Sequence, residues 1–141
     1  MRLSLLLFRV MLTAVWMIGS DANADQLPTC RTPAGATIRS FPNDIPVALL
    51  NALKDKVGDV ASPGDPFDST DVLVVGRNRR AIFVWNRGER WVVATEHGGP
   101  GYNDPVFAFN VSSDGLNAAF VAAETAFPET ICSIANELLA R

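Results

Sequence analysis

The residues best suited to do chemistry lie in two short segments that connect predicted strands. Residues 77–80 (RNRR) carry three arginines, and residues 96–104 (EHGGPGYND) carry the single histidine of the chain, its single tyrosine and two carboxylates. In an antiparallel meander the first and third connections lie at the same end of the sheet, so the two segments are expected to meet there. The candidate binding residues are Arg77, Arg79, Arg80, His97, Tyr102 and Asp104.

His97 is the residue of this group that could act as a general base near neutral pH. Asp104 or Glu96 would then hold its tautomer, because a carboxylate commonly orients a catalytic imidazole. However, the chain has no G-x-S-x-G or similar motif that would supply a nucleophile. His97, Asp104 and Glu96 are therefore secondary catalytic candidates, and the arginines are better suited to grip a carboxylate or phosphate group.

The sequence favours neither a phosphate loop nor a metal site. The glycines of residues 98–101 (GGPG) are not followed by Lys-Ser/Thr and a helix, so they are expected to serve turns that need positive φ. The aspartates of residues 65–71 (DPFDSTD) offer oxygens that calcium prefers, but their spacing is not that of an EF-hand and Pro66 restricts the loop. We expect Asp65 and Asp68 to cap turns and Asp71 to start a strand. No metal and no cofactor is predicted.

The first 24 residues predict a cleaved export signal. Arg2 and Arg9 make its start positive, residues 10–19 (VMLTAVWMIG) are apolar, and residues 22–24 (ANA) match the small-x-small pattern at which signal peptidases cut. A stable membrane anchor needs about 20 apolar residues, and Arg9 divides this segment. We therefore expect a mature chain that starts at Asp25 and is periplasmic or secreted.

Composition and cysteines limit what the mature chain can be. Removing 24 of the 141 residues leaves 117, enough for one domain, and changes the net charge from −3 to −4 because two arginines and one aspartate are lost. An acidic domain without a basic run is not expected to bind nucleic acid or anionic membranes. Cys30 and Cys132 both remain, and in an oxidising compartment they are expected to form a disulfide.

Hydrophobic patterns predict an α+β domain over residues 45–141, preceded by an extended N-terminal arm over residues 25–44 that the disulfide ties to it. One helix is predicted from Ile45 to Val57, where apolar residues recur at every fourth position before Gly58, and another over residues 128–141. The predicted strands are residues 71–76 (DVLVVG), 81–86 (AIFVWN), 90–96 (RWVVATE) and 105–111 (PVFAFNV).

Residues 116–126 are ambiguous. Their alanines favour a helix, whereas the preceding Asp114-Gly115 turn favours another hairpin, and we predict a fifth strand. The predicted fold is thus a four- or five-stranded antiparallel meander with two helices packed on one face.

Neither face of the predicted sheet is polar. Phe83 and Trp85 alternate with Val84, and Phe107 alternates with Val106, so both faces carry apolar side chains. Two helices on one face would leave the other to be covered by the arm and the loop of residues 61–70, or to form a ligand pocket or a dimer interface.

These observations favour a small exported binding or inhibitor-like domain that is not an enzyme. Its partner would be another exported protein or a small molecule, and the protein would be a monomer or a homodimer. The alternative is a small exported hydrolase or isomerase that uses His97 with Asp104 or Glu96.

Overall fold

The protein folds into a five-stranded antiparallel sheet and two helices. The computed structural model describes residues 28–69, 78–99 and 101–141. The elements are β1 (Thr37–Arg39), α1 (Val47–Val57), β2 (Arg79–Arg87), β3 (Arg90–His97), β4 (Val106–Val111), β5 (Ala118–Glu124) and α2 (Ile131–Ala140). The strands lie side by side in chain order, each antiparallel to the next, so the predicted α+β meander is confirmed.

Most of the predicted strands form where the alternating pattern places them. The β2–β3 hairpin turns at Gly88, whose φ of +57° suits a glycine. Residues 118–124 form β5, so the ambiguous segment is a strand, and Phe120 contacts Phe109 of β4 edge to face with ring centroids 5.8 Å apart. The predicted strand of residues 71–76 lies outside the described residues.

The N-terminal arm contributes a strand that the sequence analysis did not predict. Residues 37–39 pair with residues 84–86 of β2 and form one edge of the sheet. Farther along the same edge, the Ala61 N–H donates to the Arg79 carbonyl, and the Ala81 N–H donates to the Ala61 carbonyl, both at 2.9 Å. The arm and the loop after α1 therefore both satisfy backbone groups of β2.

The prediction that both helices pack on one face is wrong. Ile131, Ala135 and Leu138 of α2 pack with β-strand residues such as Trp85 and Val92. On the opposite face, Leu49 and Leu53 of α1 pack with Trp91, Val93 and Phe109. Because both faces of the sheet are apolar, each must be covered, and one helix covers each face.

This arrangement also accounts for the aromatic residues that suggested a pocket or a dimer interface. Phe83 and Trp85 stack at 4.3 Å between centroids on the α2 face, whereas Phe107 lies on the α1 face. All three are buried in the core. They therefore do not line a common cavity.

The predicted disulfide between Cys30 and Cys132 is present. Its Cα atoms are 5.4 Å apart, and it joins residues separated by 102 positions in the chain. Both cysteines pack at the border of the α2-side core, so the bond fastens the arm to α2.

None of the helices in the described residues has the length and apolar character needed to cross a bilayer.

Candidate functional site

The two predicted site segments meet at the end of the sheet where β2 begins and β3 ends. Arg79 is the register partner of His97, and Arg80 is the register partner of Glu96. The connection that follows β3 folds back, because the His97 N–H donates to the Asn103 carbonyl at 2.9 Å. The structure thus brings Arg79 and Arg80 to residues 96–104, while Arg77 lies outside the described residues.

The site residues are divided between the two faces of the sheet. Arg79 and Arg80 lie in β2 rather than in a turn, and consecutive residues of a strand point to opposite faces. We call Arg80, Glu96, Tyr102 and Asp104, on the α2 face, the acidic side. We call Asn78, Arg79 and His97, on the α1 face, the basic side.

Arg80 and Glu96 form a buried ion pair on the acidic side. Arg80 Nε donates to Glu96 Oε1, and the two side chains are only 11% and 6% exposed. The Arg80 guanidinium also lies 4.7 Å from the centre of the Phe67 ring and donates to the Asp65 carbonyl at 3.5 Å. The guanidinium of Arg80 therefore makes contacts within the protein. The sequence analysis instead predicted that Arg80 lies in a turn and binds a carboxylate or phosphate group of a ligand.

Tyr102 and Asp104 complete the acidic side. Tyr102 is 49% exposed, and its hydroxyl donates to Glu96 Oε2 at 3.2 Å. Asp104 is 1% exposed, and its backbone N–H donates to the Ala126 carbonyl at 2.9 Å. Among the described residues, neither carboxylate oxygen of Asp104 has a hydrogen-bond partner of good geometry, although the Tyr102 hydroxyl lies nearby. Buried carboxylates are normally paired or hydrogen-bonded, so Asp104 is an exception that needs an explanation.

The surroundings of Asp104 disfavour its negative charge. Burial raises the pKa of Asp104 to about 6; the nearby carboxylates of Glu96 and Glu129 add to this effect, and the Tyr102 hydroxyl opposes it by hydrogen bonding. Burial and the carboxylates of Asp104 and Glu96 raise the pKa of Tyr102 as well. Near pH 6, therefore, Asp104 exchanges a proton while Tyr102 keeps its own.

The residues of the basic side are more exposed than most of those of the acidic side, and they make different contacts. His97 Nε2 lies 3.3 Å from Asn78 Nδ2. Burial and the charge of Arg79 lower the pKa of His97, so the imidazole is neutral at pH 7. Arg79 lies 5.9 Å from the Phe107 ring centre, and burial lowers its pKa.

The predicted partnership of His97 with Glu96 or Asp104 is not formed by the described residues. Glu96 immediately precedes His97 in β3, so their side chains leave the sheet on opposite faces. Asp104 lies with Glu96 on the acidic side. A carboxylate could orient the imidazole only from the same face, and there His97 meets Asn78 and Arg79 instead.

The loop of residues 62–69, which the sequence analysis offered as a cover for one face of the sheet, packs against the end of the sheet that carries the site. A Cβ atom added at Gly98 would lie 2.4 Å from the Asp68 carbonyl oxygen and from Ser69 Cα. Gly98 is thus required by a close approach of backbone, whereas Gly99 and Gly101 do have the predicted positive φ. The close approach also explains how Phe67 reaches Arg80.

The aspartates of the same loop do not form a cation site in the structure. Within the described residues, no group of three or more His, Cys, Asp or Glu side chains is arranged to hold a metal ion. The Asp65 N–H closes a turn onto the Ser62 carbonyl at 3.0 Å, and Asp71 lies outside the described residues.

Comparison with known proteins yields no family model that matches the chain, and no curated protein or solved structure that is significantly similar to it.

Proposed function

We propose that this protein is an exported, non-enzymatic binding domain that recognises its partner through the acidic side. One observation carries the proposal: the half-exposed Tyr102 lies beside Asp104, a buried carboxylate that has no hydrogen bond of good geometry from any described residue. Leaving a buried acceptor unsatisfied costs about 1–3 kcal/mol, and a charged one costs more. Such a cost is characteristic of functional sites, where a ligand supplies what the protein lacks.

The contacts of His97 on the basic side support a binding role rather than catalysis. His97 is the one histidine of the chain, and its described neighbours are an amide and an arginine rather than a carboxylate. Both cysteines of the chain are joined in the disulfide, so neither is a free thiol nucleophile. A hydrolase or isomerase built on His97 therefore has less support than a binding domain.

Export to the periplasm or the medium is part of the proposal. The disulfide supports it, because such bonds persist in oxidising compartments, and the signal-like first 24 residues agree with it. Mass spectrometry of the protein from its native host should give the mass of a chain that starts at Asp25, less the two hydrogens lost when the disulfide forms.

The binding role can be tested by affinity capture with the oxidised mature protein. The bait is exposed to envelope and secreted fractions, and the wild type is compared with Tyr102→Ala. Phe120→Ala is the matched control, because Phe120 is an aromatic residue of similar exposure, 41%, that packs on Phe109 away from the acidic side. Urea unfolding verifies that each variant is folded.

We expect the wild type and Phe120→Ala to capture the same partner in equal amounts. Tyr102→Ala should capture at least tenfold less of it. An aromatic residue at the centre of an interface typically contributes more than 1 kcal/mol to binding. Equal capture by all three proteins would contradict the proposed role of the acidic side, as would a wild-type bait that captures no partner.

A further inference from the structure

The acidic side carries more negative charge than the protein itself balances. Among the described residues, the ionisable groups that act on Asp104 are Glu96 from β3, Tyr102 from the connection before β4, and Glu129 from the segment before α2. Arg80 from β2 pairs with Glu96. Within this described set, no positive group pairs with Asp104.

Hydrogen-bond donors are also in deficit. The Tyr102 hydroxyl lies beside both Glu96 and Asp104, and its one hydrogen can serve only one of the two carboxylates at a time. Arg80 donates to Glu96 and to the Asp65 carbonyl. The lone-pair positions of the Asp104 carboxylate are therefore not filled by the described residues.

The half-exposed Tyr102 lies beside the buried carboxylate of Asp104. The backbone N–H of Asp104 donates to the Ala126 carbonyl, and the Tyr102 hydroxyl donates to Glu96 Oε2. Because Asp104 is 1% exposed, a ligand can reach its carboxylate only if neighbouring side chains move.

From this surplus of charge and acceptors, we infer that the acidic side binds a positively charged hydrogen-bond donor, an ammonium or guanidinium group of the partner, with Asp104 as its anchor. The inference rests on the proposed function and adds the chemistry of the recognised group. A cation with several N–H groups satisfies both oxygens of one carboxylate. A divalent metal ion fits less well, because it needs several ligands and the described carboxylates do not converge on one point.

The inference is tested with small cations as probes. Methylammonium and methylguanidinium chloride are titrated into the ¹⁵N-labelled, oxidised mature protein at pH 7.5, with sodium chloride at equal ionic strength as the reference. The amide signals of Asn103, Asp104 and Ala126 report binding. We compare the wild type with Asp104→Asn and with Asp114→Asn, the same substitution in the exposed turn before β5.

We expect saturable shifts of the reporting amides in the wild type and in Asp114→Asn, and an affinity at least tenfold lower in Asp104→Asn. The wild type should also bind about tenfold less tightly at pH 5, where Asp104 is mostly protonated. This second measurement needs no variant, so the inference stays testable even if Asp104→Asn does not fold.

Several results would overturn the inference. These are the absence of saturable shifts with either cation, equal affinity in Asp104→Asn, and the same shifts produced by calcium ions instead. If Tyr102→Ala abolishes partner capture while Asp104→Asn leaves capture unchanged, the proposed function stands and this inference fails. If neither substitution affects capture, both fail.

Discussion

The acidic and basic sides occupy the same end of the sheet and are built from neighbouring residues, yet their chemistry differs. Arg80 on the acidic side is buried and paired with Glu96, whereas Arg79, one position earlier, is half-buried beside a neutral His97. The two sides differ because strand alternation sends consecutive residues to opposite faces. Neighbouring residues of the same type can therefore have different roles: among the described residues, Arg80 is part of a buried ion pair, whereas Arg79 is not.

Replacing the two arginines separately is the strongest test of this division. Arg80→Met should lower the free energy of unfolding by about 3–5 kcal/mol, because it leaves the buried Glu96 without its positive partner and close to Asp104. Arg79→Met should change it by less than about 1 kcal/mol, because no buried charge is left unpaired. Urea unfolding at pH 7 measures both. Losses of similar size would show that the two sides do not differ as described.

Removing the disulfide tests whether the acidic side depends on α2. The Cys30→Ser/Cys132→Ser double variant should lose about 2–4 kcal/mol of stability. Amide hydrogen exchange should accelerate more in α2 than in α1, because the arm is fastened to α2 and the segment that carries Ala126 and Glu129 leads into that helix. Equal acceleration in both helices would contradict this dependence.

Two glycine substitutions distinguish a steric requirement from a conformational one. Gly98→Ala should cost about 2–3 kcal/mol and displace residues 68–69, because its Cβ would overlap their backbone. Gly101→Ala should cost about 1 kcal/mol, because its φ of +80° is unfavourable but the space around it is open. Amide shifts of Asp68 and Ser69 that change only in Gly98→Ala would verify the difference. Unchanged shifts in that variant would show that the loop does not press on Gly98.

The pH dependence of stability should have opposite signs on the two sides. The pKa of Asp104 rises from 3.8 to about 6 on folding, so the folded state holds the proton more tightly, and its contribution to stability falls as pH rises from about 4 to 7. A shift of about two pKa units corresponds to about 3 kcal/mol, and this effect should vanish in Asp104→Asn. The pKa of His97 is lowered from 6.5, so its contribution instead rises with pH up to about that value and should vanish in His97→Gln. Slopes of the same sign in both comparisons, measured by urea unfolding from pH 4 to 8, would contradict the assignment.

The sheet and the meeting of the site segments were predictable because both depend on local patterns. Period-two alternation and glycine turns predict β2 to β5, and short connections make neighbouring strands antiparallel. The same topology brings Arg79 and Arg80 to residues 96–104.

The remaining features depend on tertiary contacts that leave no periodic signal. Both faces of the sheet are apolar, so nothing in their pattern assigns a helix to a face. A strand of three residues such as β1 is too short to show alternation. Arg80 occurs in a polar run typical of a turn, and its burial depends on Glu96 and on the loop that carries Phe67, which comes from elsewhere in the chain.

The bond between Cys30 and Cys132 also changes what a protease can do to this protein. It closes a covalent ring that contains β1, α1, all the remaining strands and the start of α2. A single peptide-bond cleavage anywhere within the ring, for instance in the exposed turn at residues 63–65, opens the ring but releases no fragment. Two cuts are needed before any piece can leave, so a nicked molecule remains a single covalent unit for as long as its surroundings are oxidising.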